Sequence, residues 1–251
     1  MKTMIQAHRG ASSYCPENTL EAFSLAIEQK ADCLELDVHF TKDSHIVVAH
    51  DARLERVSDG IGYINDHTLE ELRTINFGKL FPGDKFYRIP LLSDVLELVK
   101  PHNLFLNIEI KTIERLYPGL TGKLVSMIRE YSMEERIIYS SFNHYSLMEI
   151  KKLEPGSKIA LLYELGMVDP WVYANYVGAW AIHPHYYVIA ALPETVERCH
   201  ENGLKVNVWT VDDREAIKLM LKSGVDGIIT NMPDIAVAVR DDPLEGGNQD
   251  A

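Results

Sequence analysis

Short apolar runs alternate with longer stretches in which apolar residues recur every three or four positions. Residues 4–8 form the first run. In residues 17–29 (ENTLEAFSLAIEQ), Leu20, Ala22, Phe23, Ala26 and Ile27 fall at helical spacing. Residues 33–40 (CLELDVHF) read as a strand, and residues 46–49 as a shorter one after the turn-like 41–44. That pair predicts a hairpin rather than a strand–helix unit. Residues 51–90 have a different character: polar, rich in Gly, Pro and Asp, with one helical piece at 69–75. They read as an insertion.

From Leu91 the alternation resumes. Helices at 93–99, 119–131 and 145–153 precede strands at 105–110, 137–140 and 159–162. A weaker unit at 172–176 precedes a strand at 179–182. Helices at 193–202 and 214–223 precede strands at 205–209 and 227–230, and a last helix begins over 235–239. Taking residues 33–38 from the hairpin gives eight strands in all. Strands alternating with helices imply a parallel sheet. Eight such units in about 250 residues fit a closed barrel better than an open sheet. The expected fold is α/β, a (β/α)8 TIM barrel with a small insertion after the second strand. One domain is expected over residues 1–240, with 51–90 as a small cap and 241–251 as a disordered tail nearly free of apolar residues.

Composition narrows the function. The chain has 251 residues and a formal net charge of −12. An acidic chain repels phosphate backbones, which argues against nucleic-acid partners. A small phosphate-bearing substrate remains open if a metal supplies local positive charge. No run of about 18 apolar residues occurs, so no transmembrane helix and no stable membrane insertion are expected. His8 and Arg9 follow the first apolar run at once, without a stretch of signal-peptide length, so a cytoplasmic location is expected. Cys15, Cys33 and Cys199 are odd in number and lack short spacing, against a disulfide framework or a zinc knuckle.

A barrel carries its active site at the C-terminal ends of its strands. His8-Arg9 stand there on the first strand, Glu35 and Asp37 on the second, His50-Asp51 on the hairpin strand. Glu109 and Lys111 end the third barrel strand and Trp209 the seventh. Residues two apart on a strand share a face, so Glu35 with Asp37, and Glu109 with Lys111, point the same way. Their neighbours Leu34, Leu36, Ile108 and Ile110 suit the helix layer, which turns the charged set inward. Three inward carboxylates repel one another strongly at low dielectric. One divalent cation resolves this, and oxygen-only ligands suit Mg²⁺ or Ca²⁺. The competing reading is a set of core salt bridges, but buried ion pairs are weak devices for stability. Single histidines such as His102, His144 and His200 specify no site by themselves.

The strings A-H-R-G at 7–10, P-E-N-T at 16–19, E-L-D at 35–37, H-D at 50–51 and E-I-K at 109–111 resemble the glycerophosphodiester phosphodiesterase family. S-S-F at 140–142, W-T-V at 209–211 and D-G-I-I-T at 226–230 are similar to it too. The resemblance implies hydrolysis of glycerophosphodiesters to glycerol 3-phosphate and an alcohol. It assigns Glu35, Asp37 and Glu109 as metal ligands, and His8 and His50 as general acid and base in an order left open. It also implies attack by the substrate's own glycerol 2-hydroxyl, giving a cyclic phosphate that water opens. Arg9 and Lys111 suit charge stabilisation in the transition state.

Glu17 suits a metal or a substrate hydroxyl, or else the N-terminal end of a helix. Phe142 and Trp209 suit an apolar wall for substrate, or ordinary packing. The family often has a carboxylate where Asn231 stands, which is read as touching only a loop contact. Residues 183–187 (HPHYY) read as a substrate contact. Two alternatives stay open. One is a lysophospholipase D-type enzyme whose acyl slot is lined by Phe77, Leu80, Phe81, Phe86 and Tyr87. The other is a non-catalytic phosphodiester-binding barrel. The partner expected is a small-molecule glycerophosphodiester, and the oligomeric state is not specified.

Overall fold

Strict alternation along two strands sets the frame. In β1 (Met4–His8) and β2 (Cys33–Phe40), every second residue joins one apolar layer and the others turn the opposite way. A computed structural model describes residues 2–242. β1 pairs in parallel with β2, and again with β9 (Gly227–Thr230). Between them run β4 (Phe105–Ile110), β5 (Ile137–Ser141), β6 (Lys158–Tyr163), β7 (Ala181–Pro184) and β8 (Lys205–Val208), each parallel to the next. Eight parallel strands therefore close on themselves. β3 (Ile46–Val48) stands outside the ring, antiparallel to β2, as the hairpin reading expects.

The barrel has an apolar outside and a mixed inside. Ile5, Ala7, Leu34, Leu36, Leu106 and Ile108 pack outward into the main core beneath the helices. Inside, Ile138, Ala160 and Ala181 form a small apolar layer. Beside it lies a buried polar layer absent from the sequence reading. Asn107 Nδ2 donates to Gln6 Oε1 across the barrel at 3.2 Å, and Ser140 Oγ donates to Asn107 Oδ1 at 2.8 Å. Asn207 Nδ2 donates to His183 Nε2 at 2.8 Å. Buried polar groups are kept by such bonds, since an unpaired one is costly.

The outer helices are α1 (Leu20–Glu28), α3 (Leu92–Val99), α4 (Leu120–Tyr131), α5 (His144–Leu153), α6 (Pro170–Tyr176), α8 (Glu194–Glu201), α9 (Arg214–Lys222) and α10 (Pro233–Asp241). α1 starts at Leu20 rather than residue 17 because Thr19 caps it, its hydroxyl accepting from the Ala22 amide. β7 lies two residues later than the sequence reading placed it. A short helix, α7 (Tyr186–Ala191), follows it and falls on part of the stretch read as a substrate contact. α10 continues through Asp241, one residue into the stretch read as a tail. Residues 243–251 of that tail lie outside the described residues.

Residues 51–90 contain a 3-10 turn (Ile64–Asp66) and the short α2 (Leu69–Leu72), the latter closed by a capping box between Thr68 and Glu71. Leu54, Val57, Ile64, Leu72, Phe77 and Ile89 make a separate small core on Val47 and Ala49. Phe77 thus packs inside the insertion, whereas Leu80 and Phe86 are exposed. No helix among the described residues is long and apolar enough to cross a membrane.

Candidate active site

The C-terminal ends of β1, β2 and β4 bring the acidic residues together. Asp37 pairs with Glu109 in the β2–β4 register, and Glu35 stands opposite His8 across β1–β2. Glu35, Asp37 and Glu109 are all buried. Each offers an oxygen within 4.8 Å of the others. Ligands of one hard cation at about 2.0–2.6 Å can span that distance. The donor set is oxygen only, and Asp37 Oδ1 is a buried atom without a hydrogen bond. These residues fit a divalent metal ion.

Charge balance explains the same trio. Burial raises the Glu35 carboxyl well above the usual carboxylate range, with Asp37 and Glu109 adding to the effect. Glu109 is raised by burial and by Asp37. Burial would raise Asp37 too, but the charges of His50, Lys111 and Arg9 and a hydrogen bond from Asn18 hold it low. Arg9 and Lys111 are too few to let three buried carboxylates ionise together, and a divalent cation would supply the missing charge.

Two cations are woven into the cluster. Lys111 Nζ lies 2.8 Å from Glu109 Oε1, 3.6 Å from Asp37 Oδ1 and 3.1 Å from His50 Nε2. Arg9 Nε is 3.6 Å from Asp37 Oδ2, and its Nη1 is 3.1 Å from Glu17 Oε1. The Arg9 amide donates to Glu35 Oε2 at 2.9 Å. Glu17 sits beyond Arg9 and also accepts from both terminal nitrogens of Arg56, at 2.6 and 2.8 Å.

The two histidines meet different partners. His50 Nδ1 is 2.5 Å from Asp51 Oδ1, and Arg56 Nε donates to the other Asp51 oxygen. Burial would raise the Asp51 carboxyl, yet the hydrogen bonds from His50 and Arg56 hold it well below its usual range. His8 Nδ1 lies 2.7 Å from Asn231 Oδ1. Burial, followed by the charge of Arg9, pushes the His8 imidazole down to about 4. Asn231 is therefore not only a loop contact, as its sequence position suggested, but the partner of His8.

His8, Arg9, Glu35, His50, Phe142 and Trp209 line one cavity of about 80 Å³. A second, of about 160 Å³, shares His50, Glu109 and Phe142 with the first and takes in His39, Asp51, Lys111, Ile113 and Glu114. Phe142 and Trp209 meet edge to face at 5.4 Å, and His185 meets Trp209 at 5.0 Å. A model of the glycerophosphoryl diester phosphodiesterase family matches residues 8–235, the span that carries all of these groups. The chain belongs to that family.

The relatives agree. A glycerophosphodiester phosphodiesterase of Caldanaerobacter subterraneus subsp. tengcongensis is 49% identical over 94% of this chain and 97% of its own. One from Bacillus altitudinis is 38% identical over 96% of this chain and 99% of its own. The solved glycerophosphodiester phosphodiesterase of Agrobacterium tumefaciens superposes with a TM-score of 0.82 at 28% identity, covering 94% of this chain and 100% of that one. A phosphodiesterase of Oleispira antarctica, solved with the product sn-glycerol-3-phosphate, shares the fold with a TM-score of 0.83 at 24% identity, covering 96% and 98%. As a member of that family the chain is an enzyme, a phosphoric diester hydrolase.

The residues read as ligands, acid, base and charge partners (Glu35, Asp37, Glu109, His8, His50, Arg9, Lys111 and Glu17) gather at this end of the barrel with Phe142 and Trp209, though Arg9, Glu17 and Lys111 are already engaged by protein charges. Four residues were missed. Asn18 donates to Asp37 Oδ2 at 2.9 Å, and Arg56 bridges Glu17 and Asp51. His39 is buried, bonded to the His50 carbonyl at 3.0 Å and to the Tyr117 hydroxyl at 2.7 Å. Asp212 supports Asn231. The signal for His39 was present, since it continues the Glu35–Asp37 parity. Of the stretch 183–187, His183 is fully buried inside the barrel and His185 caps α7.

Proposed function

We propose that Glu35, Asp37 and Glu109 hold one divalent cation, Mg²⁺ or Ca²⁺, and that His8 and His50 move the protons as glycerol 3-phosphate and an alcohol are formed. The observation that carries this is the paired histidine geometry. Each ring commits Nδ1 to an oxygen, and both line the cavity that Glu35 and Glu109 also line. A cation held by Glu35, Asp37 and Glu109 would supply positive charge at the phosphodiester and so offset the anion's resistance to attack. The carboxylates fix its place, and Arg9 adds charge at the same rim.

His8 faces a neutral amide and stands beside Arg9, which favours the uncharged ring. It suits the base that takes a proton from the attacking hydroxyl. His50 is oriented by the Asp51 carboxylate through Nδ1, and we assign it the other role, that of the acid that protonates the departing alkoxide. In the family's two-step route the attacking hydroxyl is the substrate's own glycerol 2-hydroxyl. The second cavity shares His50 with the first and suits the departing alcohol, and the segment 51–90 reaches it through Asp51 and Ala52. We read that segment as a cap that shapes specificity. The insertion's aromatic residues line neither cavity, so they do not favour the lysophospholipase D reading. Three free thiols suit a reducing, cytoplasmic setting.

The test is turnover of His8→Ala and His50→Ala beside their metal content. Each should lose about 10²–10⁴-fold in turnover with metal retained. Near-normal turnover in either, or loss of metal, would remove that residue from its role.

A further inference from the structure

His8 leaves β1 with its ring between the catalytic cavity and the loop after β9. Nδ1 lies 2.7 Å from Asn231 Oδ1. The orientation of that amide is determined from behind. Asn231 Nδ2 is 2.6 Å from Asp212 Oδ2. Asp212 Oδ1 accepts from the Asn231 amide at 2.7 Å and from Thr230 Oγ1 at 2.9 Å. A carboxylate only accepts, so it selects the NH₂ end of the Asn231 side chain and turns the carbonyl oxygen to His8. Ser12 Oγ holds the other flank, 2.7 Å from Asn231 Oδ1 and 2.7 Å from the His8 carbonyl oxygen.

We infer that Asn231, oriented by Asp212, is a positioning residue that keeps His8 as the Nδ1–H tautomer and leaves Nε2 bare toward the reacting group. The inference rests on His8 being a proton carrier. An oxygen that can only accept forces Nδ1 to donate, and the remaining nitrogen must then accept. The carboxylate of Asp212 stands one side chain back, and the group touching the imidazole is neutral. A neutral acceptor fixes the tautomer without placing a negative charge against the ring.

Histidine-selective ¹⁵N labelling and long-range ¹H–¹⁵N spectra read the tautomer directly, beside steady-state kinetics. Wild type should show His8 protonated on Nδ1. Asn231→Leu fills the space but cannot accept. It should lose that preference, with kcat down about 10–100-fold and KM within about twofold, the range seen when a partner orienting a site histidine is removed. The exchange Asn231→Asp with Asp212→Asn returns an acceptor to Nδ1 and a donor behind it. It should restore the tautomer and bring kcat to within about threefold of wild type, a residue of imperfect pairing. An Nε2–H tautomer in wild type would overturn the inference, as would an exchange variant no better than Asn231→Leu. His8→Ala separates the two levels. Full turnover there overturns the proton-carrier reading. Lost turnover there, with an unaltered tautomer in Asn231→Leu, overturns the positioning role alone.

Discussion

Gly10 joins the turn after His8 to the helix behind it, and Gly10→Ala probes that junction. Its φ is +83°, after Arg9 at +57°. A Cβ at Gly10 would lie 2.6 Å from the Ala22 carbonyl carbon and 2.7 Å from Ala22 Cβ. Those are backbone and near-backbone atoms of α1, which cannot swing away as a long side chain can. The Ala11 amide also donates to the Ala22 carbonyl at 2.9 Å, tying the turn to the helix. A left-handed conformation costs an L-residue about 1–2 kcal/mol. Overpacking a filled site costs about 1–3 kcal/mol more. The sum, about 2–5 kcal/mol, corresponds to a fall in Tm of roughly 4–20 °C for a domain of this size. Urea unfolding followed by circular dichroism measures it. Because the Arg9 amide donates to Glu35, metal affinity should weaken as well. A loss below about 1 kcal/mol, an ordinary value for a point change, would refute the steric argument.

Three further outcomes follow from the same geometry. Glu35→Gln, Asp37→Asn and Glu109→Gln should each weaken Mg²⁺ binding in calorimetric titration. Metal at 100 times its Kd should stabilise wild type by about 2.7 kcal/mol and fail to stabilise these variants, so equal stabilisation would contradict the site. Stability should also fall with pH through buried histidines. Burial pushes His183 down to about 3 and His39 to about 4, both from 6.5. The unfolded chain therefore takes up protons first, and the stability these groups contribute is present above about pH 6.5 and lost as pH falls towards 4. His39→Gln should flatten that acid limb, and an unchanged limb would speak against a neutral buried His39. Ile113→Ala and Glu114→Gln, in the second cavity, should shift preference among leaving alcohols by about tenfold without changing metal affinity. An unchanged preference across a glycerophosphodiester panel would place the alcohol elsewhere.

What the sequence made legible is what strand parity controls. Glu35 and Asp37 two apart on β2, and Glu109 on β4, could be placed on one inner face because Leu34, Leu36 and Ile108 fix the outer one. The same parity covers His39, Gln6 and Asn107, but a polar barrel interior runs against the expectation of apolar filling. Loop-borne partners were not legible. Asn231 reaches His8 across a separation of 223 residues, and Arg56 reaches Glu17 across 39. No local spacing encodes such contacts; barrel closure and the packing of the insertion create them. The shift in β7 lies at its start: Trp180 already bonds to Ile159 and Lys205, but the paired residues begin at Ala181.

If the carboxylate trio, loaded with metal, and the histidine pair together cleave glycerophosphodiesters, release of glycerol 3-phosphate from glycerophosphocholine, followed with Mg²⁺ or Ca²⁺ present and again after chelation, depends on both. Release should require the metal, return on its addition, and be absent from Glu35→Gln at any metal concentration that saturates wild type. Undiminished release from the chelated enzyme, or full release from Glu35→Gln, would contradict it.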